Sequence, residues 1–196
     1  LAPSARRAGA ANVVVREGRL LVGHNTDGDG FVAHIKTLGV TFGAPAIVLG
    51  AGGAGRAVTA ALLQAGVPEV HLLNRSVERA ESVAVALAGL GRVRPGPLRD
   101  AHWTTCPGRL VVNAVSGGGR PAVAGLSVDH LPRGTVWSDL NYWDDNPPQR
   151  GALRASGHHF DDGWGMLVGQ AVKAFTLFTG VRLSLDKAHA LLGPPP

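Results

Sequence analysis

Six residues, Gly50-Ala51-Gly52-Gly53-Ala54-Gly55, constrain the fold more than any other stretch of the chain. They follow a short apolar run, Ala46–Leu49, and open a segment in which Ala54, Ala57, Val58, Ala61, Leu62 and Ala65 repeat at helical spacing until Gly66 stops it. A second apolar run, Val70–Leu73, comes next. Strand, glycine turn, helix and strand in that order make a β–α–β unit, whose two strands lie parallel. The glycines at 50, 52 and 55 fit G-x-G-x-x-G. The first allows a tight turn, the second lets the backbone approach a pyrophosphate, and the third lets helix and strand pack closely. The helix N-terminus behind them offers free N–H groups and a positive dipole end to an anion. No Gly-Lys-Ser/Thr follows, so this is not a Walker A loop.

The rest of the chain extends this unit. Ala11–Val15 and Arg19–Gly23 read as a hairpin closed by Arg16-Glu17-Gly18. Asn25-Thr26-Asp27-Gly28 starts a helix in which Phe31, Ile35 and Leu38 share a face, ending near Gly39. Pro45 marks a break before the first parallel strand. Ser76 caps a helix with Val77, Ala80, Ala84 and Leu87 on one face. Further strands fall at Leu110–Val115 and Thr135–Leu140. Met166–Thr179 reads as the last long helix, with Leu167, Ala171, Ala174, Phe175 and Phe178 turned inward. A short helix near Leu185–Leu192 and a Pro-rich tail follow. Strands alternating with helices predict an α/β fold: a doubly wound, Rossmann-type parallel sheet covered on both faces. No internal repeat is visible.

Composition narrows the function classes. The net charge is +5, yet the basic residues are scattered and aromatics are only 5% of the chain, too few for a base-stacking platform, so nucleic acid is not expected as a partner. Cys106 is alone, which excludes an intrachain disulfide and a thiolate metal cluster and suits a cytoplasmic setting. The longest apolar candidate, Met166–Phe178, is interrupted by Gln170 and Lys173, so no membrane span is expected. His158-His159-Phe160-Asp161-Asp162 contains ligand-type residues, but adjacent histidines on a strand face opposite ways, and no metal is expected there. It reads as a polar strand leading into the last helix. Asp144 and Asp145 read as solvated loop neighbours.

The second parallel strand ends in Asn74-Arg75-Ser76, with Arg79 in the next turn. An NAD site usually carries Asp or Glu at this strand end, accepting from the ribose hydroxyls. Arg75 and Arg79 suit a 2′-phosphate instead, and Ser76 adds a hydroxyl. Arginines at the positive end of a helix gain nothing from its dipole, which favours a ligand explanation. Asn25-Thr26-Asp27-Gly28 reads by itself as ordinary helix capping. Asn113-Ala114-Val115-Ser116-Gly117 is a polar strand end at the carboxyl edge of the sheet, where open α/β folds bind ligands.

Taken in order, these segments resemble the shikimate dehydrogenase family. The resemblance rests on Gly9-Ala10-Ala11-Asn12, Gly23-His24-Asn25-Thr26-Asp27-Gly28, Gly50-Ala51-Gly52-Gly53-Ala54, Asn74-Arg75-Ser76, Asn113-Ala114-Val115-Ser116, Asp139-Leu140-Asn141-Tyr142, and the run Asp162-Gly163-Trp164-Gly165-Met166-Leu167-Val168-Gly169-Gln170-Ala171. It implies reversible, NADP-dependent reduction of 3-dehydroshikimate to shikimate, on the route to chorismate and the aromatic amino acids. It implies substrate contacts at Asn12, Asp27, Tyr142 and Gln170, with Asp27 beside the reacting centre. It implies a pyrophosphate loop at Gly50, Ala51, Gly52, Gly53 and Ala54, and a 2′-phosphate clamp at Asn74, Arg75, Ser76 and Arg79. Asn113, Ala114, Val115, Ser116, Leu140, Gly163 and Met166 would rim the nicotinamide.

The family also has a substrate domain before the segment matching Asn12, with paired serines and a lysine that shares proton transfer with the aspartate. The lysines here, Lys36, Lys173 and Lys187, stand in other contexts. Val13 stands where the family usually has Thr, and Trp143–Pro148 departs from its loop pattern. The chain begins at Leu1. The expected organisation is therefore a remnant of the substrate domain with a connecting helix at 1–40, an NADP-binding domain at 41–162, and returning C-terminal helices at 163–196. Such a truncated chain is expected to bind NADP(H) but turn over shikimate poorly. Apolar surface on the helices of Phe31 and Phe175 would be left exposed and favour a homodimer. The alternative is a non-catalytic NADP-binding homologue, a sensor or a subunit. Shikimate, quinate and an amino analogue stay open as substrates.

Overall fold

The computed structural model describes residues 1–116, 120–142, 147 and 149–193. In chain order the elements are α1 (Pro3–Ala8), β1 (Val13–Glu17), β2 (Leu20–His24), α2 (Asp27–Thr37), β3 (Ala46–Leu49), α3 (Gly53–Gln64), β4 (Glu69–Asn74), α4 (Val77–Leu87), β5 (Arg92–Pro97), α5 (Asp100–Trp103), β6 (Leu110–Asn113), α6 (Arg120–Ala124), β7 (Val136–Asp139), α7 (Arg150–Ala155), β8 (His159–Asp161), α8 (Trp164–Thr179) and α9 (Leu185–Leu192). β1 and β2 form the expected antiparallel hairpin, Val13 opposite His24. The other six strands form one parallel sheet in the order β5-β4-β3-β6-β7-β8. That is the doubly wound arrangement: connections leave β3 in both directions, and the order reverses between β3 and β6.

The central strands β3, β4 and β6 are mainly apolar because helices cover both faces. Ala46 and Val48 of β3, Val70 and Leu72 of β4, and Leu110 and Val112 of β6 pack with Phe31, Ile35, Val58, Leu62, Leu87 and Met166. These partners lie on α2, α3, α4 and α8. The alternate residues Ile47, Leu49, Leu73 and Val111 pack with Trp103, Val123, Trp137, Leu153 and Phe160 on the opposite face. Trp103 and Trp137 meet edge to face, ring centres 5.9 Å apart.

Several expectations need correction. Phe31 is fully buried, so it leaves no exposed apolar surface; Phe175 and Phe178 are exposed, at 43% and 62%. The inward face of α8 is not Leu167, Ala171, Ala174, Phe175 and Phe178 but Gly165, Met166, Val168 and Gly169. Ser76 occupies the N-cap position of α4, but its hydroxyl makes no bond to the helix backbone. It donates to Glu78 Oε2 instead, at 2.7 Å. The sequence Arg-Val-Arg-Pro-Gly-Pro hides β5, and its prolines are tolerated because the strand lies at a sheet edge. The polar strand into the last helix is present as β8, with His158 buried and His159 exposed, so the pair does face opposite ways. Trp143–Asn146 and Pro148, with Asp144 and Asp145 among them, lie outside the described residues, as does Gly117. Among the described residues no helix is long and apolar enough to cross a membrane.

Glycines bring the helices close enough to build a site. A Cβ on Gly30 of α2 would sit 2.3 Å from the backbone N of Gln170, and one on Gly169 of α8 2.5 Å from the carbonyl of Gly30. A Cβ on Gly28 would sit 2.6 Å from the carbonyl of Ala57 on α3. The α2 helix is thus pressed against α3 and α8 at once, backbone to backbone.

Candidate functional site

Two clefts open at the carboxyl edge of the sheet, and they share Ala114 and Ser116. The first, about 390 Å³, is lined by Gly50, Gly52, Asn74, Arg75, Ser76 and Arg79 together with Leu98, Val115 and Ala122. The second, about 400 Å³, is lined by Asn12, Asp27, Ala54, Leu140, Asn141, Tyr142, Gly163, Met166, Leu167 and Gln170. Residues from the hairpin, α2, the β3–α3 turn, the ends of β6 and β7, and α8 therefore meet at the switch point, where an open α/β sheet binds its ligand.

Each glycine of the motif has its own reason. Gly50 has φ +100°, a left-handed conformation that side chains resist. A Cβ on Gly55 would lie 1.9 Å from the carbonyl of Gly50, so only glycine lets α3 pack against its strand. Gly52 has neither demand: its φ is −77°, and a Cβ there would meet nothing within 4 Å. The space beside it belongs to the cleft, as a cradle for a pyrophosphate requires. Ala51 N donates to Asn74 Oδ1 (3.1 Å) and Asn74 Nδ2 donates to the carbonyl of Ser76 (2.9 Å), so Asn74 ties the turn to the end of β4. Arg75, Ser76 and Arg79 are exposed around the outer end, and among the described residues neither arginine is in an ion pair. These free guanidiniums fit a phosphate. Gly52→Val should therefore leave the melting temperature nearly unchanged and abolish the thermal stabilisation by NADP; retained stabilisation would contradict the role of the turn.

The second cleft holds a connected polar cluster. Asn12 Nδ2 donates to Asp27 Oδ1 at 2.6 Å and to Thr26 Oγ1 at 3.1 Å, while Thr26 N donates back to Asn12 Oδ1 at 3.0 Å. Thr26 Oγ1 donates to Gln170 Oε1 at 3.3 Å, joining α2 to α8. Asp27 N donates to Asn25 Oδ1 at 3.1 Å. Burial raises the pKa of Asp27 above its ordinary value, and the hydrogen bonds with Asn12 and Asn25 offset part of that rise. A carboxyl moved in this direction is better placed to exchange a proton near neutral pH.

The cluster brings Asn12, Asp27, Tyr142 and Gln170 into one cleft, with Leu140, Gly163 and Met166 on its wall. Asn113 is used differently from expected. It is 3% exposed, and its amide donates to Asp139 Oδ2 (2.9 Å) while its oxygen accepts from Val115 N (3.1 Å). Asn141 completes the bracket, donating to Asp139 Oδ1 (2.7 Å) and to the carbonyl of Val115 (2.9 Å). This buried triad fixes the loops after β6 and β7, so Asn113 shapes the rim from beneath. The remaining turn residues divide in the same way. Ala54 faces the second cleft, whereas Ala51 and Gly53 line neither cleft and carry the backbone on either side of Gly52.

Thr26, Asp139 and Asn141 belong to the site, although sequence reading assigns them no role of their own inside the quoted segments. The available signal is adjacency to Asp27 and Leu140 at strand and helix ends. Ser138 and Asp161 carry less signal, being polar residues inside strands. They form a buried chain in which Ser138 Oγ donates to Asp161 Oδ2 (2.6 Å) and His34 Nε2 lies 2.8 Å from Asp161 Oδ1, tying α2 to the sheet.

Known proteins resemble this chain in sequence and in fold. Residues 35–101 match the family model "Shikimate / quinate 5-dehydrogenase", and residues 163–192 match "Shikimate 5'-dehydrogenase C-terminal domain". The chain is 39% identical over 209 residues to the shikimate dehydrogenase (NADP(+)) of Rhodospirillum rubrum, covering 100% of this chain and 72% of that protein. It is 38% identical to the enzyme of the same name from Nitrobacter winogradskyi, covering 91% of this chain and 64% of that one. The chain thus spans about two thirds of the relatives it matches. The crystal structure of the Thermus thermophilus shikimate 5-dehydrogenase in complex with NADP(H) and shikimate superposes with a TM-score of 0.76 and 34% identity, covering 96% of this chain and 69% of that one.

Proposed function

Because the chain belongs to the shikimate dehydrogenase family, we propose that its two joined clefts bind NADP(H) and shikimate side by side for reversible dehydrogenation of a ring alcohol. The observation that supports this most is the shared wall at Ala114 and Ser116. It lets one ligand run from Arg75, Ser76 and Arg79, past Gly52, to the cleft holding Asp27. NADP would supply the hydride acceptor, and NADPH the donor. The protein positions both partners and moves the proton.

In the oxidation direction the ionised carboxylate of Asp27 accepts the proton of the reacting hydroxyl. In the reduction direction the protonated carboxyl returns it. Asn12 holds Asp27 in place through the 2.6 Å bond, and Tyr142 and Gln170 line the same cleft, beside the space for the remaining hydroxyls of the substrate. Exposed Phe175, Phe178 and Val181 support self-association, which sedimentation would read as a dimer. No nucleic-acid, membrane or metal partner enters this reading.

Calorimetric titration with NADP, then with shikimate in its presence, tests the proposal. Sequential binding is the expected result, and failure to bind NADP would overturn it.

The raised pKa of Asp27 gives a further expected outcome. Where turnover is measured, shikimate oxidation should rise with pH as Asp27 ionises, and the reverse reaction should fall. Asp27→Asn should remove that dependence together with most turnover while NADP still binds. Stability moves the opposite way. A carboxyl whose folded pKa lies above its unfolded one stabilises the fold in acid, and that stabilisation is lost as pH rises from about 3.8 through the raised value. Asp27→Asn should therefore melt higher than wild type at neutral pH and lose that advantage in acid.

A further inference from the structure

Behind Ser76, at the outer end of the first cleft but not in its lining, stands a carboxylate that the basic clamp does not require. Glu78 stands in the first turn of α4, between Arg75 and Arg79 in sequence, and is exposed. Ser76 Oγ donates to Glu78 Oε2 at 2.7 Å. This bond holds the Glu78 carboxyl below its ordinary range. The Ser76 backbone carbonyl is already engaged by Asn74 Nδ2 at 2.9 Å.

A serine hydroxyl has one proton to donate and two lone pairs. With the proton on Glu78, Ser76 presents only lone pairs to the cleft it lines. Phosphate oxygens, which are acceptors, gain nothing from that atom and are repelled by the carboxylate behind it. A ribose 2′-hydroxyl is a donor and fits it. From this arrangement we infer that Glu78 sets the dinucleotide selectivity of the site by holding the Ser76 proton, lowering the preference for NADP and admitting NAD.

The inference rests on the reading of this cleft as a dinucleotide site. Arg75 and Arg79 still favour the phosphate, so the wild-type protein prefers NADP, but by less than its two arginines would give alone. Ser76 is the intermediary: its hydroxyl becomes a phosphate donor only once Glu78 is gone.

The test is calorimetric titration of NADP and NAD into the wild-type chain and into Glu78→Ala, Glu78→Gln, Ser76→Ala and the Ser76→Ala/Glu78→Ala double variant. Glu78→Ala should raise the NADP-to-NAD affinity ratio by about twofold to fivefold, the scale of one exposed charged contact. Glu78→Gln, which removes the charge but keeps an acceptor for Ser76, should raise it less. Ser76→Ala should lower NADP affinity less in the wild-type background than in the Glu78→Ala background, a non-additivity that reports direct coupling. An unchanged ratio in Glu78→Ala, or additive effects of the two alanines, would overturn the inference and leave the cleft assignment standing. Binding of neither dinucleotide by the wild-type chain would overturn both.

Discussion

Gly30→Ala is expected to lower the melting temperature by roughly 6–12 °C, from about 3 kcal/mol of overpacking at about 2–4 °C per kcal/mol for a chain of this size. The new Cβ would lie 2.3 Å from the backbone N and 2.7 Å from the Cα of Gln170. No rotamer relieves a clash with backbone, so α2 and α8 must separate. That separation also breaks the Thr26–Gln170 hydrogen bond at 3.3 Å and widens the cleft between Asp27 and Gln170. Shikimate binding should fail even where the variant remains folded. NADP binding should survive better, because the arginine end of the first cleft is built on β4 and α4, away from the crossing. Gly89→Ala is the control: that glycine has an ordinary φ and open space around it, and the change should be nearly neutral. Thermal denaturation followed by titration reads both effects. A Gly30→Ala protein that melts with wild type would disprove the close crossing.

The same crossing shows where sequence reading stops. The β–α–β unit is legible because its signals are local: a four-residue apolar strand, a glycine turn, a helical repeat and a second apolar strand. The packing face of α8 is not. Hydrophobicity points to Leu167, Ala171 and Phe175, yet helix proximity selects small residues, and Gly165 and Gly169 carry no hydrophobic signal. A Cβ on Gly165 would fall 2.0 Å from the ring of His34, a partner far away in sequence. The polar brackets are hidden for a similar reason. Asn113, Asp139 and Asn141 satisfy one another across two loops, so each by itself reads as a strand-end residue facing solvent or ligand. Asp27 is legible as a helix-start residue, and only the resemblance singles it out for chemistry. The structure adds a partly buried carboxyl whose ionised form is disfavoured.

Replacing both Arg75 and Arg79 by alanine should weaken NADP binding on the order of a hundredfold, with NAD binding changed by no more than a few-fold. Hydrogen bonds to charged groups contribute about 1.5–3 kcal/mol each. Both arginines are exposed, which favours the lower end because solvent and salt screen them. Two contacts at the lower end give about 3 kcal/mol, or roughly a hundredfold at about 1.4 kcal/mol per tenfold. The fold should not suffer: neither guanidinium is in an ion pair among the described residues, and losing two positive charges near the N-terminal end of α4 relieves an unfavourable dipole interaction. Melting in the absence of cofactor should stay at or slightly above the wild-type value, so weakened binding cannot be ascribed to unfolding. Added salt should weaken NADP binding to the wild type and do so much less in the double variant. If the double variant binds NADP and NAD with the wild-type ratio, the 2′-phosphate is held elsewhere and the outer end of the first cleft has another purpose.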